Sequence, residues 1–194
     1  MPDPVVIAAE RSYNRVFDRV RKLRAVAILF LHGAGGYADD QAMAYAIRAA
    51  LDEPVRMPQL KDEDMSHAAW SAQIAAHLDP DVGTVVGHSF GGSTFLKMLT
   101  ETDLGVARLV LLAGPDWGPD GWDVPDYALP SDTARRLPSA LRLDLHHCVD
   151  DDDVPVHHLD LLSARIPQAA VVRHRRGGHQ FEGGALEDVV RTLR

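Results

Sequence analysis

Residues 82–86 (Val-Gly-Thr-Val-Val) run straight into Gly87-His88-Ser89-Phe90-Gly91-Gly92, and helical spacing of Phe95, Leu96 and Leu99 takes over from Ser93. The order strand, glycine-flanked serine, helix leaves a chain few ways to fold. The residue at the apex of so sharp a reversal is held in a strained backbone conformation, its side chain standing clear at the carboxyl end of the strand. Gly87 and Gly91 lie two residues either side of Ser89, where a Cβ would collide with neighbouring backbone. The following helix starts beneath the apex, so its first N–H groups and positive dipole end face it.

The rest of the chain fits around that turn. Val26-Ala27-Ile28-Leu29-Phe30-Leu31 is apolar on both faces and ends in His32-Gly33-Ala34-Gly35-Gly36, as a central parallel strand with a loop at its carboxyl end would. Further strand patterns cover 54–57, 107–113, 141–148 and 169–174; helical patterns cover about 39–51, 66–78, 155–165 and 186–193. Ser66 suits an N-cap. An amphipathic helix is expected over 4–23, with Arg15, Arg19, Arg21, Lys22 and Arg24 on its solvated side. Residues 114–140 carry Pro115, Pro119, Pro125, Pro130 and Pro138 and read as an irregular excursion with one short helix near 131–137. Six strands alternating with helices predict an α/β fold in one domain spanning 1–194, an open parallel sheet with helices on both faces. Ligand sites in such sheets lie at the carboxyl ends of the strands. His32, Ser89, Asp151 and His179 all follow directly after predicted strands.

Composition narrows the function classes. The net charge is −8 with ten histidines counted neutral, which argues against nucleic acid or an anionic membrane as partner. Cys148 is the sole cysteine, so no internal disulfide forms; at the end of a strand pattern it reads as a small buried hydrophobe. Met1-Pro2-Asp3-Pro4 opens no secretory-signal pattern, and no apolar run is long enough to span a bilayer. A cytoplasmic protein is expected. Nothing in the sequence sets the oligomeric state.

A serine hydroxyl becomes a nucleophile when a base takes its proton. The base expected here is His179, in the glycine-containing loop between the last strand and last helix, with His174 as the alternative. The carboxylate that would orient it lies in the run Asp150-Asp151-Asp152-Asp153; Asp151, four residues before Pro155, is preferred, with Asp150 and Asp153 open. The strand–turn–helix template places serine, acid and histidine in this chain order. Acyl transfer also needs N–H donors for a developing oxyanion: Phe90 N–H, and a second from the 32–36 loop, at Ala34 or Gly35. His32, Gly33, Trp117 and Trp122 are candidate pocket residues. Trp117, Trp122 and Tyr127 serve equally well as an apolar wall for a substrate or as packing for the excursion. The cluster His146, His147, Asp150 to Asp153, His157 and His158 lacks His-Glu-x-x-His and calcium-loop spacing, so neither a metal nor another cofactor is expected.

With these residues in hand, the chain from Val26 onward resembles the α/β-hydrolase fold. The resemblance rests on His32-Gly33-x-Gly35-Gly36, Gly87-His88-Ser89-Phe90-Gly91-Gly92, Asp151-x-x-Val154-Pro155 and Gly178-His179. Within that fold it looks like the small, nearly capless serine hydrolases related to the retinoblastoma-binding serine hydrolase. The hints are Met57-Pro58 followed by an acidic loop and Trp70, and Gly178-His179-Gln180-Phe181 after the last strand. The resemblance implies a three-layer fold, Ser89, Asp151 and His179 as a catalytic triad, and esterase-type chemistry on a small acyl substrate. Two departures stand out. The antiparallel strands that open larger members are replaced by the helix expected at 4–23, and the usual lid position holds only residues 114–140, which implies an open, shallow site. A hydrolase-like module that binds a ligand or protein without turnover is the alternative, since fold does not fix function.

Overall fold

The computed structural model describes residues 27–194. The helix expected over 4–23 lies outside the described residues. Six strands form one sheet: β1 (Ala27–Leu31), β2 (Val55–Arg56), β3 (Val82–His88), β4 (Arg108–Leu112), β5 (Arg142–Cys148) and β6 (Ala170–His174). Their order is β2-β1-β3-β4-β5-β6, and every neighbouring pair is parallel. Between them run α1 (Gln41–Leu51), α2 (His67–Ala75), α3 (Ser89–Glu101), the one-turn α4 (Thr133–Arg136) and α5 (His157–Arg165); α6 (Gly184–Leu193) follows β6.

The strand alternation builds a core on each side of the sheet. Leu29 and Leu31 of β1 face the same way as Val85, Leu109, Leu111, Leu143 and Leu145, against Trp70 and Ile74 of α2, Phe95, Leu96 and Leu99 of α3, and Leu159 and Leu162 of α5. Ile28 and Phe30 face the other way with Val86, Val110 and Leu112, against Met43 and Ile47 of α1 and Ala185 and Val189 of α6. Strands covered on both faces need unbroken apolar runs, and each fully buried Leu, Ile, Val or Phe contributes about 1.5–3 kcal/mol. The three-layer arrangement is therefore the one that the continuous pattern of β1 and β4 demands.

Boundaries moved where local chemistry intervened. The edge strand β2 is only two residues long, as Pro58 cannot donate to a ladder. The helix expected from residue 155 starts at His157, because Pro155 sits in the preceding turn and accepts His158 N–H at 3.0 Å. Ser66 does cap α2, accepting Ala69 N–H at 3.3 Å. The helix after Gly87 begins at Ser89 itself rather than at Ser93.

The excursion at 114–140 is pinned to α2 and α3. Trp117 Nε1–H donates to Ser93 Oγ at 2.9 Å, Tyr127 O–H donates to Met65 O at 2.7 Å, and Lys97 Nζ donates to Asp126 O at 2.7 Å. Phe90, Trp117 and Tyr127 pack ring against ring, with centroids 4.8–5.6 Å apart. Such aromatic contacts add about 0.5–1.5 kcal/mol each beyond area burial.

Connectivity positions the site. From β1 the chain turns outward to β2, then crosses back so that β3 lies on the other side of β1. The loops leaving β1 and β3 part at this switch point, which opens a crevice at the strands' carboxyl ends.

Candidate active site

Ser89 stands at that sheet edge, half-buried, at φ +49°. This left-handed conformation is rare and costly for a residue with a Cβ. The surrounding glycines make it possible. A Cβ on Gly87 would lie 2.3 Å from Gly92 Cα, and one on Gly91 would lie 2.3 Å from His32 O. The elbow is thus pressed against the end of β1 as tightly as backbone permits. Phe90 N–H lies in the first turn of α3 and has no acceptor within the helix.

The loop after β1 packs against the serine. A Cβ on Gly33 would approach Ser89 Cβ to 3.2 Å and Ser89 Oγ to 3.7 Å. Three of its N–H groups are occupied: Gly33 donates to Asp40 Oδ2 at 2.8 Å, Gly35 to Asp62 Oδ2 at 3.1 Å, and Gly36 to Gly33 O at 3.0 Å. Among the described residues Ala34 N–H has no partner, which separates it from Gly35. His32 is fully buried, with Nδ1–H donating to Gly33 O at 2.6 Å and Nε2 accepting Leu60 N–H at 2.8 Å. Its ring braces the loop and has no edge left for a ligand.

The acidic run after β5 resolves into distinct roles. Asp151 is buried; Oδ1 accepts the N–H groups of Asp153 at 3.0 Å and Val154 at 2.9 Å, and Oδ2 accepts His179 Nδ1–H at 2.9 Å. Burial alone would raise its pKa, but the neighbouring His147 and His179 imidazoles and the Val154 N–H outweigh that and hold the carboxyl well below the usual range. Asp150 instead accepts Gly178 N–H at 2.9 Å and Gly177 N–H at 3.3 Å, tying the histidine loop down from outside. Asp153 is exposed. His147, which the sequence groups only with the histidine and aspartate cluster, is a neighbour of Asp151. Its Nε2–H donates to Val154 O at 2.7 Å and lies 3.4 Å from Asp151 Oδ2, giving the carboxylate a second imidazole neighbour.

His179 follows β6 in a loop where Gly177 and Gly178 both have positive φ. With Nδ1–H committed to Asp151 and its carbonyl to His88, its Nε2 remains without a partner among the described residues, as does Ser89 Oγ. His174, the alternative base, is buried elsewhere, stacked on His146 with Nδ1–Nε2 at 3.0 Å.

The remaining candidates divide. Trp117 is buried beside Phe90, whereas Trp122 is 41% exposed and packs edge-on to Trp117 and His158. The histidine and aspartate cluster does not converge: His158 Nδ1 accepts Asp116 N–H at 3.1 Å, and His146 faces His174. Asp151, Asp153 and His179 offer ligand atoms within 4.8 Å of one another, but both oxygens of Asp151 and Nδ1 of His179 are already engaged. No helix among the described residues is long and apolar enough to cross a membrane.

No protein-family profile and no curated protein sequence matches the chain. Solved structures do match it. The ydeN gene product from B. subtilis is 16% identical, with 86% of this chain and 97% of that one covered at a TM-score of 0.67. Alpha/beta hydrolase domain-containing protein 10 from mouse is 16% identical, with 88% of each chain covered at 0.65. The esterase domain of a Rhodothermus marinus protein is 15% identical, with 87% and 84% covered at 0.61. Likeness at this identity speaks to architecture and not to the narrower relation with the retinoblastoma-binding serine hydrolase. Taken with the sheet order and its helices, it establishes that the chain has the α/β-hydrolase fold.

Proposed function

We propose that this protein is a serine hydrolase that cleaves a small ester or related acyl compound through an acyl-enzyme. The observation that carries this reading is the His179–Asp151 hydrogen bond of 2.9 Å, formed at the sheet edge where Ser89 stands at positive φ. Asp151 holds the tautomer that leaves His179 Nε2 free to accept a proton. Ser89 Oγ then attacks the substrate carbonyl as its proton passes to Nε2, and the Ala34 and Phe90 N–H groups receive the oxyanion. The imidazolium returns that proton to the leaving alcohol. Water, deprotonated in turn by His179, attacks the acyl-enzyme and releases the acid. Catalytic serine–histidine hydrogen bonds are made or tightened in the substrate complex, so the reading rests on the loops that carry Ser89 and His179 leaving the same sheet edge. The matched hydrolases and the esterase domain support the reading by analogy.

A fluorophosphonate probe tests it directly. The wild-type protein is expected to label at one site, and Ser89→Ala is expected not to label. Equal labelling of the two would refute the nucleophile, and no labelling of either, with no turnover of short-chain p-nitrophenyl esters, would favour a non-catalytic binding module.

A further inference from the structure

Beside the elbow lies a buried pair that the reaction outlined above does not use. Asp40 and His88 are both sealed from solvent, and His88 Nδ1–H donates to Asp40 Oδ2 at 2.8 Å. Each residue reaches further. Asp40 Oδ2 also accepts Gly33 N–H at 2.8 Å, which fixes the residue before Ala34. His88 Nε2–H donates to the carbonyl of His179 at 2.9 Å, and the two rings lie 4.5 Å apart. Gly33, Asp40, His88 and His179 therefore form one chain of hydrogen bonds. It joins the loop after β1, the residue preceding Ser89 and the loop after β6.

The partners of the His88 ring specify its protons. With Asp40 as a carboxylate, its oxygen and the His179 carbonyl both accept, and the two contacts are made together only when each ring nitrogen carries hydrogen. Asp40 offsets the resulting charge. Burial opposes ionisation of Asp40, but the His88 hydrogen bond and charge, together with Gly33 N–H, outweigh it and lower the carboxyl's pKa. Gln180 adjoins His179 and is among the groups that lower it further. Asp40 Oδ1 and Gln180 Oε1 are each buried without a partner. Neutrality of the pair matters for turnover. An uncompensated imidazolium this close would oppose the charge that forms on His179 when it takes the serine proton.

We propose that Asp40 and His88 are an ionised, mutually neutralising pair of positioning residues that fixes His179 and the Ala34 loop relative to Ser89. The pair's effect on rate rests on the hydrolase reading; its protonation and its contacts do not.

Two experiments test the proposal separately. In protein labelled with ¹⁵N at histidine, long-range ¹H–¹⁵N spectra at neutral pH are expected to show both ring nitrogens of His88 protonated, and only one in Asp40→Asn. A singly protonated His88 ring in the wild type overturns the pair whether or not the protein hydrolyses esters. In ester kinetics, His88→Phe keeps the bulk and removes both donors. It is expected to lower kcat and the rate of fluorophosphonate labelling by about 10- to 100-fold, with KM within about threefold of wild type. His88→Gln, which keeps an amide donor for one of the two acceptors, is expected to recover part of kcat. Thermal melts report folding of each variant, and the wild-type spectra decide the pair even where His88→Phe fails to fold. Unchanged kcat in both folded His88 variants overturns the positioning role. A wild-type protein that neither labels nor turns over esters instead sinks the hydrolase reading and leaves the spectral result to decide the pair.

Discussion

His179 Nδ1 and Asp151 Oδ2 meet at 2.9 Å across 28 residues of chain. The contact exists because β5 and β6 are parallel neighbours, so the loops leaving them emerge at the same sheet edge. It also distinguishes Asp151 from Asp150 and Asp153 within a run of four carboxylates. Asp151→Asn is expected to lower kcat by about 10²- to 10⁴-fold, since an amide in that place favours the wrong histidine tautomer. Asp153→Asn should stay near wild type, because Asp153 meets Asp151 through its backbone N–H. Asp150→Asn should fall between them through loosening of Gly177 and Gly178. Steady-state kinetics on a p-nitrophenyl ester rank the three, and a crippled Asp153→Asn beside an active Asp151→Asn would reverse the assignment.

Most of what the sequence disclosed follows from what was local. The apolar runs of β1 and β4 and the glycines of the elbow each reflect a constraint within a few residues; Ser89, Asp151 and His179 are distant in sequence and were legible only because their order follows a known template. The Asp40–His88 pair and the support that His147 gives Asp151 were not legible. Their partners lie 48 residues apart for the first and across a turn for the second, and no periodicity marks a buried polar contact. His32 shows the opposite error. Its place beside a glycine-rich loop suggested a pocket wall, but two hydrogen bonds and full burial make it a brace. The start of α3 was misplaced because the residues before Ser93 carry glycine and small polar side chains, which helix spacing alone does not recognise.

Glycines at the elbow separate folding from activity. A Cβ on Gly91 would meet the carbonyl oxygen of His32 at 2.3 Å, and backbone cannot yield there without opening the β1–β3 switch point. Gly91→Ala is expected to cost about 3 kcal/mol or more, the upper range for overpacking. A Cβ on Gly33 meets side chains rather than backbone: Ser89 Cβ at 3.2 Å, His88 Nδ1 at 3.6 Å and Ser89 Oγ at 3.7 Å. Gly33→Ala should melt close to wild type yet label slowly with fluorophosphonate, because the added methyl crowds the attacking oxygen. Equal melting temperatures for the two variants would contradict the packing described.

Acid should weaken this protein before its carboxylates titrate. Burial first, then the facing His174, pushes the pKa of His146 from 6.5 down to about 4. Between those values the unfolded chain binds a proton that the folded chain refuses, so stability falls as pH drops through that window. The gap corresponds to about 3 kcal/mol, or about 6–12 °C in Tm for a chain of this size. Asp151 acts in the same direction at lower pH. Its carboxyl is held below the ordinary range, so its stabilisation is present above that range and is lost as pH falls through it. His146→Phe is expected to flatten the fall in Tm between about pH 6.5 and 4.5. Some slope should remain, because burial also lowers the pKa values of His158 and His174. A variant whose Tm tracks wild type throughout would remove His146 from the account.

The strain at the apex should be measurable as stability. Ser89 holds φ +49°, a conformation that costs an L-residue about 1–2 kcal/mol and glycine almost nothing. Against this, glycine loosens the unfolded chain by about 0.4–1 kcal/mol. The balance favours Ser89→Gly by up to about 1.6 kcal/mol, which raises Tm by about 3–6 °C at most. Ser89→Ala keeps a Cβ in the same strained conformation and should melt near wild type. Neither variant should label with fluorophosphonate. This pairing of lost chemistry with gained stability is expected wherever backbone strain serves a reaction rather than the fold. If Ser89→Gly melts below Ser89→Ala, the positive φ is supported by contacts of the side chain itself, and the apex stores no strain for the reaction to use.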